Sequence, residues 1–243
     1  MAPSPTPTSA ATAAARATPT IEPALFRTQL FAAIGEERVS DDLAARLQSI
    51  LDDQAGDPGL SATVMSAHGT WSGATGKADG VRDVTVDDQF SIASTTKAVT
   101  AAQVMQLVEA GELGLDDLAT DHLPSDLDFD TNGATIRHLL SHRSGIPDYV
   151  STVTPQMLAD PLRFWTPAEL LAEIPADRTT AGAAFEYGNI NYVLLGLVIE
   201  EVTGRRVVDV LRDGVLGIDG VERLIYQPDE IPTEPIAIEN GQS

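Results

Sequence analysis

The chain contains no cysteine among its 243 residues, and this absence excludes disulfide bonds, thiolate metal sites and a cysteine nucleophile. Positive charge is scarce as well, because 15 lysines and arginines stand against 36 acidic residues and give a net charge of −21. Such a surface argues against nucleic-acid partners, which need a basic footprint, and against binding to anionic membranes. No apolar run approaches the roughly 20 residues that a membrane-spanning helix requires.

Aromatic residues are few, at 5% of the chain, whereas a hydrophobic content of 43% is normal for a packed core. A chain of 243 residues fits one large domain or two small ones. Residues 1–35 are rich in alanine, proline and threonine and lack the apolar core of a signal peptide, so we expect a disordered tether. Residues 36–243 are expected to fold, and their oligomeric state is left open.

Lysine occurs only twice, and one of the two, Lys97, closes the segment Ser94-Thr95-Thr96-Lys97. An apolar stretch follows and stops at Gly111, which predicts a helix over residues 98–110. Side chains three residues apart share a helix face, so the Lys97 amine can lie beside the Ser94 hydroxyl. The positive helix start favours negative charge on Ser94 and disfavours the ammonium form of Lys97. This arrangement is typical of serine acyl transfer, and a capping serine beside a surface lysine is the alternative.

A second motif, Tyr187-Gly188-Asn189, lies 93 residues after Ser94. The apolar stretch behind it ends at Gly204, which predicts a turn that feeds a buried helix. Either residue alone is explained more simply, as a packed tyrosine or as an asparagine that caps the helix. The two motifs together favour a catalytic site.

These motifs and their surroundings resemble the serine β-lactamase and penicillin-binding protein superfamily. The branch is that of class C β-lactamases, D-alanyl-D-alanine carboxypeptidases and esterases. The resemblance is carried by residues 90–97, 106–117, 138–149 and 187–189, and it covers about residues 45–240.

The resemblance implies an α/β (α+β) fold of the β-lactamase/transpeptidase type, with a helical region inserted against an antiparallel sheet. It implies that Ser94 is the nucleophile and supplies one oxyanion-hole N–H, that Lys97 and Tyr187 transfer its proton, and that Asn189 binds Lys97 and the substrate. Ordinary pKa values of about 10.4 for lysine and 10 for tyrosine suit neither residue alone as a base at neutral pH. Which of the two is the base stays open, and no cofactor or metal is implied.

The third motif of the family, Lys-Thr-Gly or His-x-Gly, does not occur in the sequence. We therefore expect the C-terminal strands of the family's sheet, and one oxyanion-hole donor with them, to be missing from this chain. Two alternatives to an active hydrolase follow. One is a truncated, catalytically incompetent homologue that only binds, and the other is a penicillin-sensing domain that is acylated but deacylates slowly.

The implied substrates are peptides ending in D-alanyl-D-alanine, β-lactams and small esters, and we favour the peptides. The resemblance and the tether together imply an extracytoplasmic or secreted location.

Two further candidates come from the segment before the second motif. His138 and His142 stand four residues apart and could face one metal ion, but no third ligand or His-Glu-x-x-His motif is evident, and the resemblance makes this segment structural. Asp148 follows Gly145-Ile146-Pro147 and is interpreted as a loop cap rather than a cleft residue.

Periodicity predicts the remaining elements. Residues 39–54 have helical spacing with Ser40 as N-cap, and residues 60–67 and 70–74 form a predicted hairpin. Residues 98–215 are predicted to be mainly helical, with proline-containing loops between the helices.

Overall fold

The computed structural model describes residues 35, 37–55 and 59–237, so the predicted tether lies, except for Gly35, outside the described residues. The elements are α1 Asp41–Asp53, β1 Leu60–Ser66, β2 Gly69–Thr75, α2 Thr96–Ala110, α3 Ile136–Leu140, α4 Val150–Ala159, α5 Pro167–Ala172, α6 Ile190–Thr203 and α7 Val207–Asp213. Short 3₁₀ turns precede α2 and α3.

The predicted hairpin is present as the antiparallel pair β1 and β2, which is the whole sheet within the described part of the chain. Leu60 lies opposite Thr75 at its open end. Helix α1 packs against β2, where Gln48 Nε2 donates to Ala74 O at 3.1 Å and Trp71 is buried. Since a two-stranded sheet is marginal alone, α1 supplies the packing that holds it.

The predicted N-cap of α1 is present, because Ser40 Oγ accepts from Leu43 N at 3.4 Å. No residue of α1 is fully buried, and Ile50 on its apolar face is 62% exposed. The sequence periodicity therefore predicts the helix but not the depth to which it packs.

The main core surrounds α6. The apolar residues of its buried face are Ile190, Leu194, Leu195, Val198 and Ile199, each with 0% exposure. Helices α2, α3, α5 and α7 all pack against α6. The long apolar stretch behind Tyr187 is therefore the central helix of the helical region, as a helix that is apolar on most sides must be.

Both long helices end where the sequence predicts. Gly111 closes α2 with a φ of 77°, and Gly204 closes α6 with a φ of 63°. This left-handed conformation costs glycine little and terminates helices commonly.

The segment after α7 returns towards the start of α2. Arg212 pairs with Glu230 at 2.6 Å, and residues 235–237 run beside Gln89, where Gln89 N donates to Pro235 O at 2.9 Å. Within the described residues, no helix has the length and apolar character needed to cross a membrane.

Candidate active site

Ser94 lies in the 3₁₀ turn Ala93–Thr95, which leads directly into α2. Ala93 has a φ of 42°, in the left-handed region that costs a residue with a Cβ about 1–2 kcal/mol. This turn leaves Ser94 exposed at the N-terminal end of α2. The first N–H groups and the macrodipole of α2 favour negative charge at that position.

The amine of Lys97, in the first turn of α2, donates to two side chains. Lys97 Nζ is 3.2 Å from Ser94 Oγ and 2.7 Å from Asn189 Oδ1. The serine–lysine contact expected from the spacing is therefore present, and Asn189 joins it across 92 residues of sequence. Lys97 Nζ also lies 5.0 Å from the ring centroid of Tyr187 and 5.8 Å from that of Tyr192, distances at which an aromatic face stabilises a cation.

Tyr187 completes the contacts of the serine. Its Oη donates to Ser94 Oγ at 2.8 Å, and its side chain is half-exposed beside the serine. The neighbouring amine of Lys97, and then the hydrogen bond to Ser94, lower the pKa of Tyr187 below its ordinary value. Both candidate bases thus converge on one hydroxyl oxygen, and the phenol is the one whose deprotonated form the surroundings favour.

Asp148 sets the orientation of Asn189. Asp148 Oδ2 accepts from Asn189 N at 2.8 Å and from Asn189 Nδ2 at 3.0 Å, while Asp148 Oδ1 accepts from Tyr149 N at 2.9 Å and from Ile190 N at 3.4 Å. Because the carboxylate holds the amide nitrogen, the amide oxygen of Asn189 must face Lys97. The sequence indicated that Asp148 caps a loop. In the structure it caps the N-terminal end of α6 and so orients a residue of the site.

His142 is a further residue whose contact with the site the sequence did not reveal. Its ring centroid lies 4.5 Å from that of Tyr187 and 5.2 Å from that of Tyr192. His142 Nδ1 accepts from Gly188 N at 3.3 Å, which fixes the turn between Tyr187 and Asn189. Burial, and then the charge of Lys97, lowers the pKa of His142, which favours the neutral form of the ring beside Tyr187.

The contacts of the two histidines also bear on the metal interpretation. His138 Nδ1 accepts from Thr135 N at 3.2 Å in the N-terminal cap of α3, and His142 Nδ1 faces Gly188. In the part of the chain that the structure describes, no group of three or more histidine and acidic side chains could hold a metal ion. The structural interpretation of this segment accounts for both rings.

Known proteins resemble the chain over the region that carries this geometry. A protein-family model described as Beta-lactamase matches residues 29–235. Penicillin-binding protein 4 of Amycolatopsis lactamdurans is 34% identical over 179 residues, which are 71% of this chain and 46% of that protein. Penicillin-binding protein 4* of Bacillus subtilis strain 168 is 29% identical over 138 residues, which are 55% of this chain and 30% of that protein. The chain thus spans less than half the length of these relatives.

Solved structures are similar as well. The D-amino acid amidase of Ochrobactrum anthropi SV3, solved with D-phenylalanine, is 30% identical with a TM-score of 0.65, over 81% of this chain and 56% of that one. A D-stereospecific amidohydrolase of Streptomyces sp. is 31% identical with a TM-score of 0.61, over 73% of this chain and 54% of that one. The expected α/β fold class is thereby confirmed. The chain belongs to the β-lactamase family, within the serine β-lactamase and penicillin-binding protein superfamily.

Proposed function

We propose that this chain is a serine hydrolase that forms an acyl-enzyme at Ser94 with D-alanyl-D-alanine peptides, β-lactams or small esters. The observation that carries the proposal is the convergence of Lys97 Nζ, at 3.2 Å, and Tyr187 Oη, at 2.8 Å, on Ser94 Oγ. A serine that merely caps a helix requires no such tyrosine. Relatives named as penicillin-binding protein and as D-amino acid amidase support amide substrates built from D-amino acids.

In the proposed first step, the Tyr187 phenolate takes the Ser94 proton as Oγ bonds to the carbonyl carbon. The lowered pKa of Tyr187 supports this residue as the base, with the Lys97 ammonium group stabilising the phenolate. When the tetrahedral intermediate collapses, the bond to the leaving amine or alcohol breaks and Tyr187 returns the proton to that group. Water then attacks the acyl-enzyme by the same proton transfers in reverse, which releases the acid and restores Ser94.

Asn189 has two roles in the proposed site. Its oxygen accepts from Lys97 at 2.7 Å and keeps the ammonium group beside Ser94. Its side-chain nitrogen carries two hydrogens, of which Asp148 binds one, so the other serves the substrate amide. The Ser94 N–H at the start of α2 donates to the developing oxyanion.

Intact-protein mass spectrometry after incubation with nitrocefin tests the proposal. We expect an adduct of one β-lactam, or turnover of nitrocefin to its coloured product, and the loss of both in Ser94→Ala. Ser91→Ala is the matched control, because Ser91 is also exposed but precedes the turn that carries Ser94 and makes no hydrogen bond to Lys97. A folded wild-type chain that shows neither adduct nor turnover would overturn the proposal.

The lifetime of the adduct distinguishes a hydrolase from a penicillin-binding sensor. Deacylation within seconds to minutes indicates a hydrolase, whereas an adduct stable for hours indicates a penicillin-binding sensor. We place the reaction outside the cytoplasm, in keeping with cell-wall peptides as the favoured substrate.

A further inference from the structure

A pocket of ≈ 480 Å³ lies next to Lys97, between α2, α5, α6 and residues 226–229. Lys97 and Asn189 form part of its wall and also belong to the hydrogen-bonded cluster around Ser94. Its volume is within the range of pockets that hold small organic ligands. The pocket and the serine cluster therefore share Lys97 and Asn189, which places the pocket next to a carbonyl compound bound at Ser94.

Gly196 lines this pocket from the middle of α6. Glycine inside a helix costs about 1 kcal/mol relative to alanine, and Gly196 does not have the positive φ that would justify the cost. Close packing does not explain it either, because a Cβ placed there would meet no atom within 4 Å. The glycine instead leaves open space, and that space is the pocket.

The wall of the pocket combines aromatic rings with carboxylates. The aromatic lining residues are Tyr149, Phe164, Trp165, Tyr192 and Tyr226. Glu200 lies one turn beyond Gly196 on α6, and its Oε1 accepts from Val207 N at 2.9 Å. Asp229 is the other acid on the wall and pairs with Arg206 at 3.0 Å. Lys97, the cation of the wall, is engaged by Ser94 and Asn189.

This chemistry selects a type of substrate. Flat rings and aliphatic walls gain free energy from apolar surface removed from water. An anionic group would meet the Glu200 carboxylate and would lose hydration there. It would also find Arg206 already paired with Asp229, and Lys97 already bound by Ser94 and Asn189.

We propose that this pocket is the acyl specificity site of the enzyme, and that it accepts a large aromatic or apolar substituent and rejects an anionic one. The inference rests on the proposed function, since it assigns the substituent to a substrate acylating Ser94. Gly196 is the specificity-determining residue, because a side chain larger than a methyl group there occupies the site.

The test compares the full chain with Gly196→Leu on three p-nitrophenyl esters: the acetate, the 4-phenylbutanoate and the anionic hemiglutarate. Burying roughly 80 Å² of ring surface at about 25 cal/mol per Å² corresponds to about thirtyfold in kcat/KM. We expect Gly196→Leu to lose about that factor on the phenylbutanoate and less than threefold on the acetate. The wild type should prefer the phenylbutanoate to the hemiglutarate by a similar factor.

Gly196→Ala is the matched control, since one methyl group leaves most of the pocket open. It should keep the phenylbutanoate preference and raise the Tm by about 2–4 °C through its better helix propensity. Equal losses on acetate and phenylbutanoate in Gly196→Leu, or no loss on either, would overturn the inference while leaving Ser94 catalysis intact.

A binding measurement keeps the inference testable if no ester acylates Ser94, which would refute the proposed function alone. Trp165 lines the pocket, so 4-phenylbutanamide should change its fluorescence saturably in Ser94→Ala. The change should disappear when Gly196→Leu or Trp165→Phe is added. A signal that survives Gly196→Leu, or no signal in Ser94→Ala itself, would refute the pocket as the binding site.

Discussion

The substitution Asp148→Asn should test whether Asp148 orients Asn189 in the site. Each carboxylate oxygen of Asp148 accepts from two N–H groups: Oδ2 from the backbone and side chain of Asn189, and Oδ1 from Tyr149 N and Ile190 N. An asparagine has one acceptor oxygen, so its amide nitrogen must face donors on one side or the other. At least one N–H group then loses its partner, and the remaining bonds lose their charge assistance.

A polar group left unpaired costs about 1–3 kcal/mol, so we expect the free energy of unfolding to fall by about 2 kcal/mol. In a domain of this size that loss lowers the Tm by roughly 4–8 °C. The lost bonds also oriented the Asn189 oxygen towards Lys97. If the same ~2 kcal/mol is lost from the transition state, kcat/KM should fall by about thirtyfold. Both quantities can be measured on one preparation, by thermal unfolding and by p-nitrophenyl acetate hydrolysis well below the Tm.

The pH profile distinguishes a positioning role from simple destabilisation. The negative charge of Asp148 opposes ionisation of Tyr187, so removing that charge lowers the pKa of Tyr187. If the phenolate is the base, the acidic limb of kcat/KM moves to lower pH in Asp148→Asn, whereas a structural defect lowers the rate without moving the limb. Asp126→Asn is the control, since Asp126 is exposed and makes no hydrogen bond with the described residues. An unchanged rate and limb in Asp148→Asn would refute the reasoning.

Two stability predictions concern the segment that carries His142. Folding lowers the pKa of His142. The contribution of His142 to the free energy of unfolding is therefore present above its unfolded pKa of about 6.5 and is lost as the pH falls through its folded pKa. In unfolding scans, the Tm advantage of wild type over His142→Asn should therefore shrink from pH 7.5 to 5, and a constant difference would contradict this. Gly145→Ala should cost about 3 kcal/mol or more, because its Cβ would lie 2.1 Å from Thr179 O. Gly111→Ala, with φ 77° but open surroundings, should cost only about 1 kcal/mol, and equal costs in denaturant unfolding would be inconsistent with the clash.

The features that the sequence predicts are those determined by neighbouring residues. The Ser94–Lys97 contact follows from helix geometry over three residues, and the ends of α2 and α6 follow from glycines that terminate an apolar stretch. The hairpin follows from two short strands around a turn. None of these depends on how distant segments meet, so local physics is sufficient.

The features that the sequence did not predict arise from contacts between distant segments. Asp148 reaches Asn189 across 41 residues, and His142 reaches Gly188 across 46. A carboxylate after a proline loop and a histidine in a polar segment occur in many roles. The residue types alone therefore did not show which distant residues they would contact. The interpretation of Asp148 as a cap was correct in kind, but the backbone that it caps is the start of α6, directly after the second motif.

The site has two parts that are held by different forces. Lys97 lies on α2 and Asn189 is the N-cap of α6, and because these two helices pack directly together in the main core, the helix interface fixes the 2.7 Å contact between Lys97 and Asn189. Tyr187 precedes α6 in a turn that is held to His142 by a ring contact and by hydrogen bonds on both sides of the tyrosine, from Glu186 N to His142 O at 2.8 Å and from Gly188 N to His142 Nδ1 at 3.3 Å. Core substitutions in α6 should therefore weaken the lysine contact only as the whole fold weakens, whereas changes at His142 act first on the turn that carries Tyr187. Because the favoured base is on the locally held part, local motion there can limit catalysis in a chain that remains fully folded.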